Sequence, residues 1–129
     1  KRLITFAGLK VAVLGLTFKP GTDDLREAPS LENIPLLLEA KADIYAYDPV
    51  GTNNFKKKYP DKITYVSTPE EALEGANVCF VFTEWGEIKA IAPETYKKLM
   101  QTPLVYDGRN IYDLKEMKAA GVEYYSIGR

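Results

Sequence analysis

The sequence predicts an α/β fold: a doubly wound, mainly parallel six-stranded sheet with strand order 3-2-1-4-5-6. Three observations predict it. Six short runs rich in Val, Ile, Tyr and Phe recur along the chain, segments with helical spacing and helix start signals lie between most of them, and 129 residues suit one compact domain with a single core. Strands alternating with helices imply a parallel sheet covered on both faces, and right-handed crossovers leave the doubly wound order as the simplest topology.

The elements follow in order. KVAVLGL at 10–16 is the first strand. SLENIPLLLEAKA reads as a helix, but Pro35 lacks the N–H that a helix interior uses, so a kinked or late-starting helix is expected. DIYAYD at 43–48 and ITYV at 63–66 are the second and third strands, and FKKKYPDK between them is a solvated helix end and turn rather than a binding patch. In STPEEALEGA, Thr68 caps, Pro69 suits the first helical position, Glu71 completes a capping box and Gly75 marks the stop. NVCFVFT at 77–83 is the fourth strand, PETYKKLM a helix, and LVYD at 104–107 the fifth strand. DLKEMKAAG is a helix capped by Asp113 and ended by Gly121, and EYYSI at 123–127 closes the sheet.

Composition narrows the function. Lys plus Arg number 17 against 18 Asp plus Glu, a net charge of -1 that offers no general pull on a polyanion, so nucleic acid is not an expected partner. No apolar run approaches the ~18 residues that span a bilayer, so no membrane partner is expected either. The chain has no histidine and one cysteine, which removes His-based acid/base chemistry, Ser-His-Asp triads and His or multi-Cys zinc sites. Cys79 lies within a buried-strand pattern and reads as a core thiol. One unpaired thiol and no signal peptide before the first strand make the cytoplasm the expected location. The chain begins at Lys1, not Met, which points to a piece of a longer protein; an engineered or processed terminus would look the same.

Ligands of such sheets bind beyond the carboxyl ends of the strands at the switch point, here between the first and fourth strands. Three polar clusters follow neighbouring strands on that edge: TFKPGTDDLR, EWGE and GRN. They contain the cations Lys19, Arg26 and Arg109. Lys19 stands between Phe18 and Pro20, where an ammonium can lie beside a flat apolar surface, a pairing that suits a diphosphate carrying an aromatic base. Arg109 follows Gly108, which permits close backbone approach, and its planar fork can donate two parallel bonds to a phosphate or to sugar hydroxyls. Surface ion pairing with Asp23, Asp24 or Asp107 is the other reading of each cation.

Asp23 and Asp24 do not form a phosphoacceptor pair like that of receiver domains, because they lie well beyond the first strand; they read as an Asx-turn near a helix start. Asp48 occupies the place of a ribose-binding acid, but Leu16 and Thr17 follow Gly15, so the G-x-G-x-x-G fingerprint fails. Asp48 therefore reads as a turn-former ahead of Pro49, and the chain as a poor independent NAD-binding domain. Trp85 reads as packing at a domain interface, with stacking on a base as the less common alternative.

VAVLGLTFKPGTDDLREAPS, AYDP, FTEW, YDGRNIYD and the closing YYSIGR together resemble the C-terminal, UDP-binding domain of the UDP-glucose/GDP-mannose dehydrogenase family, over nearly the whole chain. DGRN with YYSIGR is similar to the bacterial UDP-glucose 6-dehydrogenases within it. The resemblance implies a Rossmann-like domain, residues 1–129, that forms part of a longer enzyme oxidising UDP-glucose to UDP-glucuronate with two NAD. It implies that Phe18, Lys19 and Arg109 contact the UDP-sugar and that Arg26 reaches NAD, which an N-terminal domain outside this chain mainly holds. The family's catalytic Cys, Lys and Asp also belong to upstream regions, so this chain alone is expected to be inactive. A homodimer built by a central helical region is implied for the complete enzyme. Two alternatives stay open: a stand-alone Rossmann-like nucleotide-binding or interaction module, and the same domain from a dehydrogenase acting on GDP-mannose or UDP-N-acetylmannosamine.

Overall fold

The computed structural model describes residues 9–16, 29–39, 41–48, 56–57, 61–83, 86–108 and 111–126. Six parallel strands form one sheet: β1 (Lys10–Leu14), β2 (Asp43–Tyr47), β3 (Ile63–Tyr65), β4 (Val78–Val81), β5 (Leu104–Asp107) and β6 (Glu123–Ser126). Their order is β3-β2-β1-β4-β5-β6, as the alternation of elements predicts. β1 lies in the centre, pairing Val11 with Ile44 on one side and Val78 on the other. Its Val11, Ala12, Val13 and Leu14 are fully buried, which is why its apolar run is continuous and does not alternate.

The helices are α1 (Pro29–Glu39), α2 (Pro69–Leu73), α3 (Gly86–Lys89), α4 (Pro93–Leu99) and α5 (Leu114–Ala119). The side-chain period of two divides the sheet between two cores. Ala12, Leu14, Cys79, Val81 and Val105 face Leu73, Ile88, Tyr96 and Met117 of α2 to α5. Val11, Val13, Ile44 and Phe82 face Ile34 and Leu37 of α1.

The helix ends follow the local signals. Thr68 accepts the Glu71 amide at 3.2 Å while the Glu71 carboxylate takes the Thr68 amide at 3.0 Å, completing the capping box. Asp113 accepts the Glu116 amide at 3.1 Å. Gly75 and Gly121 adopt positive φ, 73° and 83°, just past the ends of α2 and α5. The Lys10 ammonium adds a support that no local pattern signals. It donates to the Glu71 and Glu74 carbonyls at the end of α2 and lies 4.1 Å from the centre of the Tyr45 ring.

Of the two alternatives for the first helix, the late start is excluded: α1 begins at Pro29 and runs through Pro35. Pro35 is exposed, so its ring stands on the solvent side of the helix. The strands are also shorter than their apolar runs. Leu16, Asp48 and Thr83 continue the patterns of β1, β2 and β4 but lie beyond the ladders, all three buried.

Candidate functional site

Asp48, Thr83 and Asp107 are the buried polar side chains among the described residues. All three stand at the carboxyl ends of their strands, at the edge where doubly wound sheets bind ligands. Burying polar groups is costly without partners, so their arrangement marks a built edge.

The turn after β1 is held from three sides. The Gly15 amide donates to the Tyr47 carbonyl at 2.8 Å, and the Leu16 amide to Asp48 Oδ2 at 2.6 Å. Across the switch point Gly15 lies against Thr83: a Cβ at Gly15 would stand 2.5 Å from Thr83 Cβ and 2.7 Å from its amide nitrogen. Gly15 also has φ +92°, a conformation that side chains resist. The glycine therefore serves the close approach of two chain segments.

Asp48 is a buried acceptor that ties the exit of β2 to the exit of β1, while the turn expected at Asp48 and Pro49 runs into residues outside the described ones. Its position also bears on a dinucleotide. In a glycine-fingerprint turn, free amides face a pyrophosphate. Here the Leu16 amide is committed to a carboxylate, and the Gly15 approach is filled by Thr83. The Leu16 amide and the space beside Gly15 are therefore not open to a dinucleotide's pyrophosphate in the manner of a glycine fingerprint.

The β5 exit has its own acid. Asp107 Oδ2 accepts the Ile111 amide at 2.7 Å and the Tyr124 hydroxyl at 2.5 Å, while the Gly108 amide donates to the Val81 carbonyl at 2.9 Å. Behind this turn the Tyr112 hydroxyl reaches the Ile88 and Ile91 carbonyls at 3.0 and 2.9 Å and the Tyr96 hydroxyl at 2.7 Å. Asp107 and Tyr124 were missed as a site pair, since β6 reaches β5 only through the fold. The one available signal was Asp107 ahead of Gly108 at a strand end.

Phe18, Lys19, Arg26 and Arg109, with Asp23, Asp24 and Trp85, lie outside the described residues. What the described chain supplies is their attachment. The segment with Phe18, Lys19 and Arg26 follows Leu16 in the chain and Arg109 follows Gly108; Leu16 and Gly108 themselves stand at the carboxyl ends of β1 and β5. Among the described residues no group of acids and thiols could hold a metal ion, and no helix is long and apolar enough to cross a membrane.

Cys79 is fully buried in β4, as expected, and burial followed by the nearby Asp107 charge pushes its thiol up. It is not an activated nucleophile. Burial likewise raises Tyr96 and Tyr112, outweighing in Tyr112 the opposing effect of the Tyr96 hydrogen bond. These groups hold their protons more tightly folded than unfolded. Their contribution to stability is intact below the unfolded-state ionisations, about pH 9 for the thiol and 10 for the phenols, and is lost as pH climbs toward the folded values. The loss amounts to at most about 1.4 kcal/mol per pH unit for each group. Urea midpoints measured from pH 8 to 11 should fall above pH 9, less steeply in Tyr112→Phe; a flat profile would contradict the buried network.

Residues 12–114 match the UDP binding domain of the UDP-glucose/GDP-mannose dehydrogenase family. The chain belongs to this family. The resemblance carried by its motifs is borne out. It is 47% identical over 128 residues to the UDP-glucose 6-dehydrogenase YwqF of Bacillus subtilis (strain 168), covering 99% of this chain and 29% of that protein. It is 39% identical over 122 residues to TuaD of the same organism, covering 95% and 26%. Among solved structures it resembles an NDP-N-acetyl-D-galactosaminuronic acid dehydrogenase from Methanosarcina mazei Go1 with a TM-score of 0.82 at 28% identity, covering 97% of this chain and 26% of that one. The chain thus spans little more than a quarter of the length of these relatives.

Proposed function

We propose that residues 1–129 form the UDP-sugar-binding, C-terminal domain of a longer, cytoplasmic UDP-glucose 6-dehydrogenase that oxidises UDP-glucose to UDP-glucuronate with two NAD. The observation that carries this reading is the convergence of Asp48, Thr83 and Asp107 on one sheet edge, in a chain whose residues 12–114 match a UDP binding domain. The 47% identity to a UDP-glucose 6-dehydrogenase supports the substrate.

In this reading the chain binds and orients but does not react. Lys19 and Arg109 donate to the nucleotide sugar, Phe18 lies against it, and binding energy gained there helps to hold C6 toward the reacting groups elsewhere in the polypeptide. NAD accepts hydride when bound; it is held mainly by the N-terminal domain, with Arg26 reaching it from this chain. The Leu16–Asp48 bond at the first turn supports that division. A homodimer is expected of the complete enzyme.

Steady-state kinetics of the complete polypeptide test the reading. Lys19→Ala and Arg109→Ala are each expected to lower kcat/KM for UDP-glucose by roughly 1–3 kcal/mol, the range for losing a charged hydrogen bond. Unchanged constants in both variants would remove the site. Arg26→Ala should raise the KM for NAD more than that for the sugar. Faster turnover of UDP-N-acetylmannosamine than of UDP-glucose would move the assignment to another nucleotide sugar.

A further inference from the structure

Among the described residues, the face of the sheet that carries α1 is covered over only part of its width. One row of cross-strand neighbours shows where the cover ends: Ala46, Val13, Phe80, Tyr106 and Tyr125 stand side by side on β2, β1, β4, β5 and β6. Ala46 and Val13 cluster with Ile34 and Leu37 of α1 and are fully buried. Beyond them the row turns aromatic and comes into the open, with Phe80 half-buried, Tyr106 40% exposed and Tyr125 49% exposed. The buried side chains of α2 to α5 belong to the opposite core, so no described helix lies over β4 to β6 on this side.

The three rings form a continuous surface. Phe80 and Tyr106 stack with centroids 5.4 Å apart and planes 16° apart, and Tyr106 and Tyr125 with 5.3 Å and 20°. The Tyr125 hydroxyl donates to the Glu123 carboxylate on the same face, which holds the outermost ring in place. All-parallel sheets are almost always covered on both faces, and a contiguous exposed apolar patch marks an interaction site. Stacked tyrosines suit such a contact, since they present a large, rigid surface with few side-chain angles to freeze.

The point at which the chain enters the domain indicates what covers the rings. Leu9, whose carbonyl accepts the Asp43 amide at 3.0 Å, stands at the amino end of β1, and β1 is the strand beside β4. With strands about 4.8 Å apart, β5 and its Tyr106 lie roughly 10 Å to the side of that entry. The chain spans little more than a quarter of the length of its relatives, so a complete polypeptide of their size has ample material to lay there. We propose that the row Phe80, Tyr106 and Tyr125 is the docking face for the polypeptide that precedes this domain in the same molecule, which sets an apolar surface on the rings. This rests on the reading of the chain as the C-terminal part of a longer enzyme.

The test uses the complete polypeptide with the photo-reactive p-benzoylphenylalanine in place of Tyr106. Irradiation followed by peptide mass spectrometry is expected to join position 106 to a peptide from upstream of Lys1, in a product that keeps the mass of one polypeptide on a denaturing gel. Should that variant fail to fold, the label takes the place of Tyr125, the more exposed ring, and the same product is expected. A product of doubled mass would give the face to a second copy, and a link within residues 1–129, or no link, would leave it to this domain or to water; each overturns the proposal. Turnover of UDP-glucose by the unlabelled polypeptide separates the two readings. Turnover without an upstream link removes the docking face alone, whereas an upstream link without turnover removes the substrate and keeps the docking face. A complete polypeptide with no upstream region would remove both.

Discussion

Gly15→Ala is expected to destabilise the fold by roughly 3–5 kcal/mol, combining left-handed backbone strain with overpacking. Two physical effects add because neither can relax. At φ +92° a side chain is strained whatever space surrounds it. The new methyl would also stand 2.5 Å from Thr83 Cβ and 2.7 Å from the Thr83 amide nitrogen, and the second of these is backbone that cannot swing aside. The two chain segments cannot draw apart freely, because the Phe82 amide donates to the Leu14 carbonyl at 2.9 Å and Gly15 is tied on its other side to the Tyr47 carbonyl at 2.8 Å. Gly75→Ala is the control. Gly75 has a similar φ of 73° but open space around it, so its loss should be about 1 kcal/mol, the conformational part alone. Urea denaturation of both variants separates strain from collision; equal losses would show that the Thr83 contact is not felt.

Asp107→Ala is expected to cost about 3 kcal/mol, because two donors lose a charged, buried acceptor at once. The Ile111 amide and the Tyr124 hydroxyl both converge on Oδ2, and the side chain they meet is 1% exposed. Removing it leaves a backbone N–H and a phenol in a region with little water to replace it. Asp107→Asn should cost less, since the amide oxygen can still accept both bonds without the charge. Equal losses for the two substitutions, measured by the same denaturation, would mean that the carboxylate charge, which both remove, carries the effect and that the accepted bonds and the side-chain volume contribute little.

These variants mark what was hidden from the sequence. The strand order, the alternation of elements, the capping box at Thr68, the Asp113 cap and the stops at Gly75 and Gly121 were all legible, because each depends on residues a few positions apart. Cys79 was legible as core for the same reason, lying in the apolar run VCFVF at 78–82. The limits of the strands were not. Leu16 and Thr83 look like strand residues because they are buried, yet burial beyond the ladder comes from the turn of β1 pressing on the exit of β4. Pro35 left two alternatives, a kinked helix or a late start, and only the structure excluded the late start, since sequence does not say that this residue lies on an exposed face.

By itself the sequence determined the fold class and the family, since apolar period, cap residues and motif spacing are written along the chain. Only the tertiary structure decided which groups meet at the carboxyl ends of the strands. The Leu16–Asp48 bond, the Gly15–Thr83 contact and the Asp107–Tyr124 pair each join residues from different strands. Which groups meet there depends on the neighbours and register of each strand, and hydrogen bonding and packing act across that distance in space rather than along the chain.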